Sequence, residues 1–349
     1  MVERLRARET RVHVSIGPTC NNNCLFCMEE DRDWRYQSNS GMTSERVRWI
    51  LEAHRGAEEV CFTSGEPTLR PELPRFASWA RELGYPRVSV MTNARRLSYP
   101  PYAGALAKAG MNRFYVSIHG HEKKLHEGLT RTPGSFEQTV AGIDSVARLK
   151  PLGIDLHSST VLTGRNLPHL VELFRFLVAH GVDQVVVNVM QVNGRADTYF
   201  DQIFPTYTDT AAAFREFLER VDGERPNVFL VDIPLCTTES IPDFHRGYIE
   251  KHLHYERGLD EAQLGAGSEL LEGFDQRPRE GEGVMKGLVR LERADLDLAR
   301  RVKRDACRGC RYDAVCEGVW ANYVRRRGWD EMAPVPAESP QPPGSAAAQ

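Results

Sequence analysis

The stretch "RVHVSIGPTCNNNCLFCMEE" (residues 11–30) runs from an apolar segment straight into three cysteines, Cys20, Cys24 and Cys27. Residues 11–16 alternate with the two-residue period of a strand. The cysteines follow at once, on a loop that also carries Asn21, Asn22 and Asn23. A strand that ends in clustered thiols is the start of a repeating pattern. "EEVCFT" (58–63), "RVSVMT" (87–92), "RFYVSI" (113–118), "IDLHSSTVL" (154–162) and "QVVVNVM" (184–190) read as further strands, and residues 43–56, 71–84, 102–109, 135–149 and 167–180 carry helical spacing between them. Gly84, Gly110, Gly153 and Gly181 fall at or just past helix ends, where C-caps belong. This β–α alternation predicts an α/β fold with a parallel sheet and crossover helices. Six such units are too few for an eight-stranded barrel, so the expectation is a partial (β/α)6 barrel over residues 1–205.

Beyond residue 205 the rhythm fades. A helix near 208–222 and the strand-like "NVFLVDIP" (227–234) lead into a charged, glycine-rich region that runs to about residue 300. A second cysteine group follows, so residues 206–332 are expected to form a C-terminal extension. "APVPAESPQPPGSAAAQ" (333–349) has the composition of a disordered tail.

The chain has 349 residues and a formal net charge of −3, which offers no electrostatic case for nucleic acid or an anionic membrane. No run reaches the length of a membrane span, and "MVERLRARET" lacks the apolar core of a signal peptide. The expected location is the cytoplasm. There the eight cysteines are better read as metal ligands or catalytic groups than as a disulfide framework. Cys61, inside an apolar strand, is the exception and reads as a small buried hydrophobe.

Three thiolates on one short loop suit either a zinc ion or three irons of a [4Fe–4S] cluster. Zinc normally takes a fourth Cys or His close by, but His13 lies on the preceding strand and the next histidine is His54. A cubane held by three cysteines keeps one iron open for a substrate or cofactor. The three asparagines suit a loop whose backbone amides turn toward sulfur.

The C-x3-C-x2-C spacing, with aromatic Phe26 before the last cysteine, is identified as the signature of radical S-adenosylmethionine (SAM) enzymes. "SGEP" (64–67) resembles that family's GGEP motif with serine in first place, and "MTNA" (91–94) resembles its TNG. "VSIHGHEKKLHEGLTRTPGSFEQTVAGI" (116–143) and "MQVNGRA" (190–196) resemble the segments around its fourth and sixth strands. The resemblance implies a [4Fe–4S] cluster on Cys20, Cys24 and Cys27 that reductively cleaves SAM to a 5′-deoxyadenosyl radical, which then abstracts hydrogen from a substrate. It implies SAM contacts from Ser64, Gly65 and Glu66, with Glu66 meeting the ammonium group. Asn93, Ser117, Ser158 and Thr160 are implied at the ribose or carboxylate, Arg131 at the carboxylate, and Asn188 with the backbone around Val189 at the adenine. A reductant such as flavodoxin or ferredoxin is implied as a partner. Plainer readings stand beside these: Glu66 as a capping acid ahead of Pro71, Arg131 as a surface ion pair, and His119, His121 and His126 as solvated or capping groups.

"CRGCRYDAVCEGVWANYV" (307–324) carries C-x2-C-x5-C followed by Gly318. It resembles the core of the SPASM or twitch appendage of the same enzymes. No cysteine follows Cys316, so two extra clusters are excluded by counting. Cys307, Cys310, Cys316 and, by its place after a strand in "DIPLC", Cys236 suffice for one auxiliary [4Fe–4S] cluster. A zinc site from the same four is the alternative. The expected substrate is a small molecule. A ribosomally made peptide is the alternative within the class, and a non-catalytic zinc-binding scaffold is the alternative outside it.

Overall fold

The computed structural model describes residues 11–17, 19–28, 42–192, 194–224, 226–241, 301–313, 316 and 318–336. The charged glycine-rich region from residue 242 to 300, and the tail beyond 336, lie outside the described residues.

Seven parallel strands form one open sheet, and their order in the sheet is their order in the chain. They are β1 (Arg11–Ser15), β2 (Glu59–Thr63), β3 (Arg87–Thr92), β4 (Arg113–Ser117), β5 (Asp155–Leu162), β6 (Gln184–Val189) and β7 (Asn227–Val231). The helices between them are α1 (Ser44–Ala53), α2 (Leu73–Glu82), α3 (Pro100–Ala109), α4 (Lys123–Thr130), α5 (Ser135–Ala147), α6 (Leu170–Ala179) and α7 (Tyr207–Arg220). The strand read in "NVFLVDIP" is thus the seventh of the sheet, pairing with β6 from Gln184↔Asn227 to Asn188↔Val231.

Parallel crossovers are right-handed. When consecutive strands are also neighbours, one hand places every crossover on the same face. The register shows the result. Val12, Val14, Val60, Phe62, Val88, Val90, Phe114, Val116 and Leu156 share the outer face and are buried in the core. The inner face is mostly polar: Arg11, His13 and Ser15 line up with Glu59, Cys61 and Thr63, then with Ser89, Met91, Arg113, Tyr115, Ser117, His157 and Ser159. Such alternation is unusual for parallel strands, which are normally covered on both faces. Here one face is left to the lumen.

At the N-terminal end of the lumen the polar groups close on Glu59. Its carboxylate accepts from Arg113 Nη1 at 2.9 Å, Arg11 Nη2 at 3.3 Å, Ser89 Oγ at 2.6 Å and Tyr115 Oη at 3.2 Å. Burial alone would raise Glu59, but the two guanidinium groups, the serine and the tyrosine hold it below the ordinary carboxylate value. The network plugs the bottom of the half-barrel and leaves the C-terminal strand ends open.

Helix ends follow local chemistry. Thr43 caps α1 by accepting from the Arg46 N–H at 3.2 Å. Gly84, Gly110, Gly153 and Gly181 all adopt positive φ, as expected of C-caps. Helix α4 falls in a stretch to which no helical spacing was assigned, because its buried stripe of His126, Leu129 and Thr130 lacks an apolar signature. No described helix is long and apolar enough to cross a membrane. The start of the proline-rich tail pairs with the second cysteine segment: the Arg311 N–H donates to the Val335 carbonyl at 2.8 Å, and Cys310 bridges to Pro336. Ordered chain therefore reaches residue 336, past the point where composition placed disorder.

Glu59→Gln is expected to cost about 3 kcal/mol of unfolding free energy at neutral pH, because it removes the carboxylate paired with buried Arg11 and one of the two paired with Arg113, which keeps Asp155. A depressed carboxylate stabilises above its unfolded value and loses that contribution as pH falls. The difference between wild type and variant in urea unfolding should therefore shrink below about pH 4.5.

Candidate active site

The cysteine loop crosses the open end of the lumen and is gripped by four separate segments. The Glu66 N–H donates to the Thr19 carbonyl at 2.8 Å. The Asn23 and Leu25 N–H groups donate to Thr130 and Leu129 at the end of α4, at 3.0 and 2.9 Å. Asn93 Nδ2 donates to Asn21 Oδ1 at 2.7 Å, while Arg95 Nη1 donates to the Asn21 carbonyl and, at 3.0 Å, to Asn22 Oδ1. The Arg195 N–H donates to the Cys27 carbonyl at 2.9 Å, and its Nη1 donates to Asn23 Oδ1. The asparagines therefore anchor the loop through their side chains, and the Asn22 N–H turns to Cys20 Sγ at 3.4 Å. Leu25 and Phe26 are buried beneath it.

The three thiols lie within electrostatic reach of one another. Burial, then Cys27 and Cys20, push the Cys24 thiol well above the ordinary range, and Arg195 opposes the shift. Ligation by a metal removes that cost by holding the thiolate directly. Among the described residues no three His, Cys, Asp or Glu side chains crowd together as ligands of a single ion do. A cubane, with irons at separate corners, takes thiolates that stand further apart. Three thiols brought within reach of one another on one loop are the donor chemistry that three irons of a [4Fe–4S] cluster take.

Glu66 is buried beside the loop and is the hub of the next layer. Its Oε1 accepts from the Thr68 N–H at 3.1 Å, Thr68 Oγ1 at 2.5 Å and Thr92 Oγ1 at 2.6 Å. Among the described residues its Oε2 accepts only the Asn93 N–H, at 2.6 Å, and keeps capacity for a second donor. The carboxylate thus caps the short 3-10 helix Pro67–Leu69, and it also ties β2 to β3. Burial raises its pKa, against the pull of these hydrogen bonds. The preceding turn needs a left-handed backbone at both Ser64 (φ 72°) and Gly65 (φ 57°). Ser64 stands where the resembling motif has glycine, and its conformation shows why glycine is used there.

The other expected SAM contacts divide by strand parity. Ser117 is partly exposed at the end of β4 and pairs in register with Ser159. Asn188 Nδ2 donates to Ser159 Oγ at 2.9 Å, so these three form a polar strip on the lumen face. Ser158 and Thr160 lie on the opposite face, fully buried; Thr160 Oγ1 donates to the Ile118 carbonyl at 2.6 Å. The structure does not bring them to the strip. Ser159, between them, takes that place, and the two-residue period of β5 was the available signal. Arg131 caps α4 on the surface, with φ 51°, and donates to Tyr199 Oη at 3.3 Å. His119 and His126 correct the expectation of solvated groups: both are buried. The Val161 N–H donates to His119 Nδ1 and the His119 N–H to His126 Nδ1, each at 3.2 Å, while the His119 ring packs edge-on to Phe26 at 4.5 Å. Burial holds both histidines below their ordinary value and therefore neutral.

The second cysteine group assembles from distant chain. Cys236 follows β7, whereas Cys307, Cys310 and Cys316 lie between β8 (Arg301–Val302) and its antiparallel partner β9 (Val319–Trp320), and all four line one cavity. Burial, then the thiols of Cys316, Cys310 and Cys307, push Cys236 up to about 12. The Gly318 N–H donates to Cys316 Sγ at 3.4 Å, the same i+2 amide-to-sulfur contact as in the first loop. Cys61 is buried in β2 and takes no part in either group.

Residues 14–177 match the sequence pattern of the Radical SAM superfamily. This stretch carries a radical SAM domain, and the enzymes of that superfamily use SAM and a [4Fe–4S] cluster. A probable GTP 3′,8-cyclase of Sulfurisphaera tokodaii is 29% identical over 189 residues, 53% of this chain and 57% of that protein. An AdoMet-dependent heme synthase of Methanosarcina barkeri is 29% identical over 187 residues, 53% of this chain and 52% of that protein. The chain thus spans little more than half the length of these relatives. Streptococcus suis SuiB with SAM bound superposes with a TM-score of 0.61 at 17% identity, over 93% of this chain and 77% of that one, and SuiB with precursor peptide SuiA bound gives 0.59. The half-barrel is the radical SAM fold.

Two substitutions separate the demands on this radical SAM site. Ser64→Gly is expected to raise stability by up to about 1 kcal/mol by relieving a left-handed serine. A Cβ on Gly194, which has φ 55°, would collide with the Met28 carbonyl. Gly194→Ala is therefore expected to lower stability by more than about 1 kcal/mol, and thermal unfolding of both variants checks the pair.

Proposed function

We propose that this radical SAM protein binds a [4Fe–4S] cluster on Cys20, Cys24 and Cys27, holds SAM across the lumen, and acts on a small molecule by hydrogen abstraction. The observation that carries this reading is the free capacity on Glu66 Oε2, a buried carboxylate beside the thiol loop that is open to one more donor. A SAM ammonium fits that vacancy. Ser64 and Gly65 shape the turn that presents it, Asn93 braces both carboxylate and loop, and Ser117, Ser159 and Asn188 offer polar groups further along the lumen. Arg131, exposed at the end of α4 and bonded to Tyr199, is the proposed partner of the SAM carboxylate, while Ser158 and Thr160 support the strand from behind. Bound there, the cluster and SAM would supply a 5′-deoxyadenosyl radical. The chain's own part is to orient SAM, exclude water and present the substrate C–H.

Cys236, Cys307, Cys310 and Cys316 are proposed to hold one auxiliary [4Fe–4S] cluster with every iron ligated, which suits electron transfer better than substrate anchoring. Small-molecule action is supported by the names of the relatives, a GTP cyclase and a heme synthase. A peptide substrate is the second reading, favoured by the likeness to peptide-bound SuiB across the C-terminal region as well as the barrel. A flavodoxin- or ferredoxin-type donor is the expected reductant, in the cytoplasm.

Anaerobic iron and sulfide analysis with EPR, with and without SAM, tests the assignment. Wild type should hold roughly eight irons, and the Cys20/Cys24/Cys27→Ala triple variant about four with no SAM-perturbed signal. About four irons that vanish in the variant would remove the auxiliary cluster. Zinc without iron would replace the enzyme reading with a scaffold.

A further inference from the structure

Arg195 is a cation that reading strand ends does not find. It lies past β6, in a segment quoted for its resemblance but given no role. Its main chain holds Cys27 and its Nη1 holds Asn23, so its guanidinium is fixed across the loop that carries Cys24. The remaining edge, Nε and Nη2, is buried and has no hydrogen-bond partner among the described residues. A buried guanidinium edge with two unused donors costs free energy unless a ligand or charge meets it. Arg95, the other arginine on the loop, spends its donors on Asn21, Asn22 and Gln138.

We propose that Arg195 is a positioning and tuning residue for the catalytic cluster: its unused Nε and Nη2 edge donates to the sulfurs around Cys24 and raises the cluster's reduction potential. This rests on the reading that the cysteine triad holds a cluster. Reduction adds one negative charge to a site already bearing three thiolates. A fixed cation stabilises the reduced state more than the oxidised one, and hydrogen bonds to sulfur act in the same direction. The two anchors on Asn23 and Cys27 explain why the charge stays in place.

The test compares wild type with Arg195→Gln, Arg195→Lys and Asn23→Ala by iron content and by dithionite redox titration of the SAM-perturbed EPR signal. Arg195→Gln is expected to keep its iron and shift to a more negative midpoint, Arg195→Lys to stay near wild type, and Asn23→Ala, which frees one anchor of the guanidinium, to shift part of the way toward Arg195→Gln. If Arg195→Gln fails to hold iron, a Lys variant with iron and near-wild-type potential still supports the role of charge. Unchanged potentials in both Arg195 variants overturn the proposal. So does weaker SAM binding at unchanged potential, which would assign the edge to the SAM carboxylate. Loss of iron from both variants also overturns it and leaves Arg195 as a loop anchor alone. Wild type without iron would instead fail the cluster reading, before any variant is compared.

Discussion

Strand order equal to chain order, combined with a single crossover hand, is the constraint from which the rest of this structure follows. It sends every helix to one face of the sheet and leaves the other uncovered. An uncovered face of parallel strands cannot be apolar in water, so the inner positions carry Arg11, Glu59, Ser89, Arg113, Ser117 and Ser159. The charges at one end neutralise each other around Glu59 and seal it. Polarity at the other end is uncommitted, and the thiol loop lies there.

That loop has no regular structure of its own, so its geometry is borrowed. Glu66, the end of α4, the Asn93–Arg95 corner and the Gly194–Arg195 turn each contribute hydrogen bonds. The last of these is itself braced by the C-terminal region. Asn322, in the helix α8 (Ala321–Arg327), donates to the Val192 carbonyl at 2.7 Å, and Arg326 donates to Asp197 Oδ1 at 2.9 Å. Tyr323 packs on Phe200, Phe204 and Tyr207. The two cysteine groups are therefore joined by one continuous stretch of packed chain, from Cys27 through residues 194–204 to α8 and back to Cys316.

How much was legible depended on whether a residue's role is local. The thiol spacing, the strand rhythm and the glycine C-caps depend on near neighbours in sequence, and they stand in the structure as expected. Helix α4 escaped because a buried histidine is a polar letter in an apolar stripe, and His119 and His126 were misjudged for the same reason. Choosing Ser158 and Thr160 over Ser159 was a matter of parity: all three sit at one strand end, and only pairing with β4 and β6 tells which faces the lumen.

By itself the sequence determined the three-thiol loop, the β–α repeat and the existence of a second cysteine group, because each is encoded in spacings of a few residues. Only the tertiary structure decided that Cys236 joins Cys307, Cys310 and Cys316, that Glu66 keeps one acceptor site free, and that Arg195 closes on the first loop. Those facts rest on contacts between residues tens to more than a hundred positions apart. Spacing along the chain carries no record of such contacts until the crossovers fold them together.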